Sequence, residues 1–194
     1  MILHNGAEIY DKGKLIYQCY LSAEDIRYIY QTLHGEELKI SVIADKYYCN
    51  YPAEKIWGAI DHAEITDFNK FNVDAPKINI FNPERKQIKE LDALKEMFRV
   101  EYMEDGSSIS IAARQASKGE AISVLQRIFK VSQENSIAIG NDYNDLSAFS
   151  VCGTKVAVEN ADECLLELAD VIISSNNELG VEKYLRKVLG TDAE

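Results

Sequence analysis

Two hydrophobic periods alternate along this chain, and turn residues mark each change between them. Leu38-Lys-Ile-Ser-Val-Ile43 and Lys77-Ile-Asn-Ile-Phe81 place an apolar side chain at every second position, the pattern of half-buried strands. Ile26, Ile29, Tyr30 and Leu33 recur at helical spacing and predict a helix over 21–33, capped by Ser22 with Asp25 reaching back and ended by Gly35. Ile88, Leu91, Leu94, Met97 and Phe98 repeat that spacing behind Asn82-Pro83, where a proline suits the first helical position. At the start, Ile2 to Ile9 reads as a strand, a tight turn at Asn5-Gly6 and a second strand. Asp11-Lys-Gly13-Lys then turns a hairpin between Ile9-Tyr10 and Leu15-Ile16-Tyr17. Tyr47 to Tyr51 reads as an edge strand or a loop, and its tyrosines either pack on a sheet or face a substrate. Pro52 and the stretch 54–60 suggest a helix, followed by a short element around 65–71. Val100–Met103 and Ile109–Ala112 read as strands joined by 104–107. Strands interleaved with helices over roughly a hundred residues make an α+β module.

The pattern tightens from Ser117 onward. Ser117-Lys-Gly-Glu120 opens a helix whose apolar face is Ile122, Leu125, Ile128 and Phe129. Ser136 to Ile139 is an apolar run that stops at Gly140 and reads as a buried parallel strand. A helix over 145–151, a strand over 155–158, a helix from Asn160 to Leu168, a strand over 171–173 and a helix over 179–189 follow. This short-range alternation predicts an α/β fold with a doubly wound parallel sheet. With 194 residues and a net charge of −11, the chain is acidic enough to repel a phosphate backbone, so nucleic acid is not an expected partner. No apolar run approaches the ~18 residues that cross a bilayer, and the first residues lack the layout of a signal peptide, which predicts a cytoplasmic protein with no membrane partner. Cys19, Cys49, Cys152 and Cys164 show no metal-ligand spacing and read as free thiols. His4, His34 and His62 are scattered.

The candidate chemistry lies just beyond the strand that ends at Gly140. Asn141, Asp142, Asn144 and Asp145 put two carboxylates and two amides within five residues, a set of hard oxygen donors suited to Mg²⁺. The same residues could be a solvated loop with a helix cap at Asn144 or Asp145. Lys118 likewise has two readings. It is an ordinary residue of a capped helix, or an ammonium at the positive end of a helix dipole, where an anion would compensate it.

Taken together, Ser117-Lys118-Gly119-Glu120, Gly140-Asn-Asp-Tyr-Asn-Asp145, Lys155-Val-Ala-Val158, Asn160-Ala, Ala169-Asp-Val-Ile-Ile173 and Gly180-Val resemble the carboxyl-terminal half of the haloacid dehalogenase superfamily. The match is to Cof-like phosphatases with a subclass IIB α/β cap. The resemblance implies a remnant of the core domain at 1–9, an α+β cap over 10–114, and the carboxyl-terminal half of a Rossmann-like core over 115–194. It implies Mg²⁺-dependent hydrolysis of small phosphorylated metabolites such as sugar phosphates. Lys118 would stabilise the transferring phosphoryl group, Asn141, Asp142 and Asp145 would hold Mg²⁺, and Asn144 and Asn177 would face substrate. The sequence departs from the family at Asn141, where an acidic residue is usual, and an amide there brings no charge.

Such phosphatases use an aspartate nucleophile within an amino-terminal Asp-x-Asp segment, and this sequence contains no Asp-x-Asp. By the resemblance the chain starts in mid-fold, at the Asn5-Gly6-Ala7 passage into the cap, and encodes half an active site. It is therefore expected to be inactive alone, with the strand ending at Gly140 left as an exposed apolar edge. That edge would pair with a second copy or a separate amino-terminal piece, unless the start is a truncation or a misplaced codon. The other reading is a non-catalytic relative that binds a metabolite, a metal or a partner.

Overall fold

The computed structural model describes residues 1–34, 37–52, 63–83, 85–102 and 108–191, the side chains of 85–88 excepted. Gly35, the helix expected over 54–60, the turn at 104–107 and the Ile88 side chain lie outside the described residues. The chain divides into two compact units, 1–116 and 117–194.

In the first unit, β1 (Ile2–Leu3), β2 (Glu8–Asp11) and β3 (Lys14–Gln18) form an antiparallel meander. The expected tight turn at Asn5-Gly6 is a single 3-10 turn over His4–Gly6, with Asn5 at φ 55° and Gly6 at φ 108°. The β2–β3 hairpin turns through Lys12 and Gly13, both at positive φ, the geometry that two-residue hairpin loops require. A six-stranded sheet follows, built from β4 (Lys39–Ile43), β5 (Tyr47–Cys49), β6 (Ala63–Ile65), β7 (Lys77–Phe81), β8 (Phe98–Tyr102) and β9 (Ser108–Ala113). Its order is β6-β5-β4-β7-β9-β8, antiparallel except for β5 with β6.

Helices α1 (Ala23–Thr32) and α2 (Arg85–Leu94) belong to the same unit. The Ser22–Asp25 capping box starts α1 as expected. Ile26, Ile29, Leu91 and Leu94 meet Ile40, Val42, Ile78, Ile80, Ile109 and Ile111 in one core. Every second strand residue thus faces that core, and the intervening residues face the other way. The helix predicted through Phe98 stops at Leu94. Met97 is exposed and Phe98 opens β8, because helical and strand periods coincide over so short a junction.

Glu8 is buried and accepts a hydrogen bond from the Tyr20 hydroxyl. Burial, and then that bond, hold the Tyr20 phenol well above its usual range. Because the folded state keeps this proton longer than the unfolded chain, the bond's contribution is complete below about pH 10 and declines above it. Tyr20→Phe leaves the carboxylate without its donor and is expected to cost roughly 1.5–3 kcal/mol, read from urea denaturation at pH 7. The difference from wild type should shrink above pH 10.

In the second unit, β10 (Ile137–Gly140), β11 (Thr154–Val158) and β12 (Val171–Ile173) form a parallel sheet in that order. Helices α3 (Lys118–Phe129), α4 (Leu146–Phe149), α5 (Glu163–Leu166) and α6 (Gly180–Leu189) alternate with the strands. Helices α4 and α5 are shorter than predicted, since 3-10 turn over Tyr143–Asp145 precedes α4 and Asp162 rather than Asn160 stands at the N-cap of α5. Ala138, Ala148, Phe149, Cys152, Ala157 and Leu165 form the core. Among the described residues β10 pairs only with β11, and Ile137, Ile128, Phe129 and Val131 are exposed. The four cysteines are free. No helix of the described residues is long and apolar enough to cross a membrane.

Candidate functional site

Strand β10 ends where the chain must turn sharply, and Gly140 permits it. A Cβ there would lie 2.6 Å from the Asp145 Cβ and 2.9 Å from a Leu165 methyl, so only glycine lets the loop fold back over the strand end. Residues 142–145 then form a capping box that neither expected cap predicted: Asp142 is the N-cap and Asp145 is the residue that reaches back. The Asp142 Oδ1 accepts from the Tyr143 N–H at 2.6 Å. The Asp145 Oδ2 accepts from the N–H groups of Asn141 at 3.0 Å and Asp142 at 3.3 Å.

The other oxygen of Asp145 meets Lys118. Ser117 caps α3 by accepting from the Glu120 N–H at 3.0 Å, and this sets the first helical residue, Lys118, against the loop. The Lys118 ammonium donates to Asp145 Oδ1 at 2.5 Å and to Asn144 Oδ1 at 2.8 Å. Asp145 is 8% exposed, while the Lys118 side chain keeps 30% of its surface. An ammonium has three donors, so among the described residues one N–H of Lys118 is left for a further acceptor. Gly119 seats this arrangement through its N–H, which donates to Ser147 Oγ at 3.2 Å.

Of the residues singled out from sequence, Lys118, Asn144 and Asp145 are joined directly, and Asn141 and Asp142 are tied to Asp145 through their backbone. Asn177 lies exposed in the turn 176–178, and no hydrogen bond links it to that group among the described residues. Two participants escaped the sequence reading. Asp162 accepts from the Tyr143 N–H at 3.1 Å, and its own N–H donates to the Asn141 carbonyl at 2.9 Å. Its signal was the Asn-Ala-Asp-Glu run before an apolar stretch, a cap pattern read two residues early. Ser147 carried no signal. Among the described residues no group of three or more His, Cys, Asp or Glu converges to hold a metal. Asp142, Asp145 and Asp162 nonetheless bring three carboxylates onto the loop, and Lys118 is bonded to one of them, which leaves the loop negative and rich in oxygen donors.

A family model of haloacid dehalogenase-like hydrolases matches residues 1–185. A phosphoglycolate phosphatase of Sulfurisphaera tokodaii is 32% identical over 128 residues, 66% of this chain and 55% of the relative. A 5-amino-6-(5-phospho-D-ribitylamino)uracil phosphatase of Bacillus subtilis is 27% identical over 196 residues, 96% of this chain and 71% of the relative. The structure of a HAD subclass IIB sugar phosphatase superposes with a TM-score of 0.75 at 18% identity, covering 96% of this chain and 74% of that one. The chain spans about half the length of the curated relatives it matches first.

Proposed function

Since the chain belongs to the haloacid dehalogenase-like hydrolase family, we propose that residues 117–194 supply the charge-stabilising half of a Mg²⁺-dependent phosphoric monoester hydrolase. The observation that carries this reading is Lys118, held by Asn144 and Asp145 with one donor left over, beside an oxygen-rich loop at the carboxyl end of a parallel strand. That remaining N–H would bind a phosphoryl oxygen. Asp145 fixes the ammonium in place beforehand, so little reorganisation is needed as charge develops. Asn144 accepts a second N–H of the same ammonium.

The donor set fits Mg²⁺, which binds through one or two carboxylates and keeps several waters. Asn141 and Asp142 would hold it, and Asp145, with both oxygens engaged, supports them by fixing their backbone. When bound, Mg²⁺ would offset the repulsion between an anionic nucleophile and an anionic substrate. The substrates are small phosphorylated metabolites, the class to which the names of the similar phosphatases point.

The sequence contains no Asp-x-Asp, so the nucleophile is proposed to come from outside this stretch, docked on the free side of β10. The 194 residues alone are then expected to hydrolyse an aryl phosphate with Mg²⁺ no faster than buffer. Fused behind an Asp-x-Asp segment from a related phosphatase, they should hydrolyse it, and Lys118→Ala in the fusion should lower kcat about 10²–10³-fold. Activity of the isolated chain that Lys118→Ala abolishes would refute the half-site reading. A fusion that folds yet is inactive would favour the second reading, a non-catalytic binding module, which the absent Asp-x-Asp supports.

A further inference from the structure

Asp162 stands at the N-cap of α5, a position where aspartate usually turns its side chain onto the first N–H groups of its own helix. Here it makes no such bond. The backbone alone starts the helix, with the Asp162 carbonyl accepting from the N–H groups of Leu165 at 2.9 Å and Leu166 at 3.1 Å. The carboxylate instead crosses to the loop after β10, where its Oδ2 accepts from the Tyr143 N–H at 3.1 Å. Asp162 is exposed, so water would serve its carboxylate equally well, and neither burial nor capping accounts for this placement.

The Tyr143 N–H already has an acceptor. Asp142 Oδ1 takes it at 2.6 Å, so two carboxylates converge on a single donor. Like charges brought together in this way repel, and a cation beside them relieves the repulsion. The Asp162 backbone adds a second tie to the same loop, since its N–H donates to the Asn141 carbonyl at 2.9 Å. Asp162 thus grips the loop on both sides of Asp142, at residues 141 and 143.

We propose that Asp162 is a positioning residue for the Mg²⁺ site: it keeps the Tyr143 N–H when the Asp142 carboxylate turns to the cation. This rests on the function proposed above, in which Asn141 and Asp142 hold Mg²⁺. With a single acceptor, that N–H would either be orphaned as Asp142 turned or tether the carboxylate to its own loop. With two acceptors the 3-10 turn survives the exchange, and both Asp142 oxygens are available. Ligating carboxylates depend on such outer partners for their orientation.

The test begins with the ¹⁵N-labelled 194-residue chain titrated with Mn²⁺, whose paramagnetic broadening of the amides 141–145 gives its affinity. Asp162→Ala should weaken Mn²⁺ binding about tenfold. Asp162→Asn, whose amide oxygen can still accept the N–H, should recover most of that loss, whereas a purely electrostatic contribution would vanish in both variants. The second readout is the solvent-exchange rate of the Tyr143 amide. In wild type it should be as slow with saturating Mg²⁺ as without it, and in Asp162→Ala Mg²⁺ should make it at least about tenfold faster. Unchanged affinity in Asp162→Ala, an equal loss in Asp162→Asn, or a Tyr143 amide that Mg²⁺ releases to solvent in wild type would overturn the proposal. The last measurement is made on wild type and so stands even if neither variant folds. If wild type shows no Mn²⁺ broadening at 141–145, the Mg²⁺ site proposed above falls and this role falls with it. Broadening that is insensitive to Asp162 removes the role alone and leaves that site standing.

Discussion

Replacing Asp145 with alanine is expected to destabilise residues 117–194 by about 2–5 kcal/mol, since two loop N–H groups lose their acceptor at about 1–3 kcal/mol each and a partly exposed ammonium adds little. Three groups lose their acceptor together: the N–H groups of Asn141 and Asp142, and the Lys118 ammonium. Water reaches the ammonium most easily, since Lys118 is partly exposed, so most of the cost arises at the loop backbone. Asp145→Asn separates the two contributions. Its carbonyl oxygen can still accept both N–H groups, whereas the charge opposite Lys118 is gone, and the loss should fall to less than half. Native-state hydrogen exchange at the amides of β10–β12 reports on this unit without requiring that the whole chain unfold in one step. A loss below about 1 kcal/mol for Asp145→Ala would show that the loop does not depend on the carboxylate.

The role given to Asp145 also shows where sequence reasoning reached and where it stopped. The strands β4 and β7 were legible because one face is buried against helices, which forces strict alternation at Ile40 and Val42 and at Ile78 and Ile80. The Ser22–Asp25 cap was legible because a capping box is a local pattern in four residues. Lys118 and Asp145 could be singled out from their residue types and from the resemblance. Their contact, across 27 positions of chain, follows from the packing of α3 against α4 and has no local signature. The same limit hid Ser147, whose hydroxyl meets a backbone N–H from a different helix. It hid the alignment of three polar residues across the first unit's sheet as well. Ser41, Asn79 and Ser110 look like ordinary solvent-side residues within their own strands, and only the register of β4, β7 and β9 aligns them.

Gly119→Ala, a single added methyl, is expected to be as damaging as the loss of Asp145. A Cβ at Gly119 would lie 2.2 Å from the Ser147 carbonyl oxygen and 2.7 Å from its carbon. Both are backbone atoms of α4, so no side-chain rotation relieves the clash. Either α3 or α4 must move, and overpacking of this kind costs about 3 kcal/mol or more when the backbone has to yield. Helix propensity alone predicts the opposite sign, because alanine is about 1 kcal/mol better than glycine inside a helix. The direction of the measured change therefore decides between local preference and close packing. The displacement also acts on the neighbouring Lys118, whose bonds to Asn144 and Asp145 at 2.8 and 2.5 Å leave little room for a shift of the helix start. Exchange protection should fall in β10 and in the loop 141–145 together. Gly13→Ala provides the comparison: φ is +80° with no atom within 4 Å, so its cost is purely conformational, about 1 kcal/mol, and confined to the β2–β3 hairpin. If Gly119→Ala instead stabilises the second unit, the two helices do not approach as closely as the structure places them.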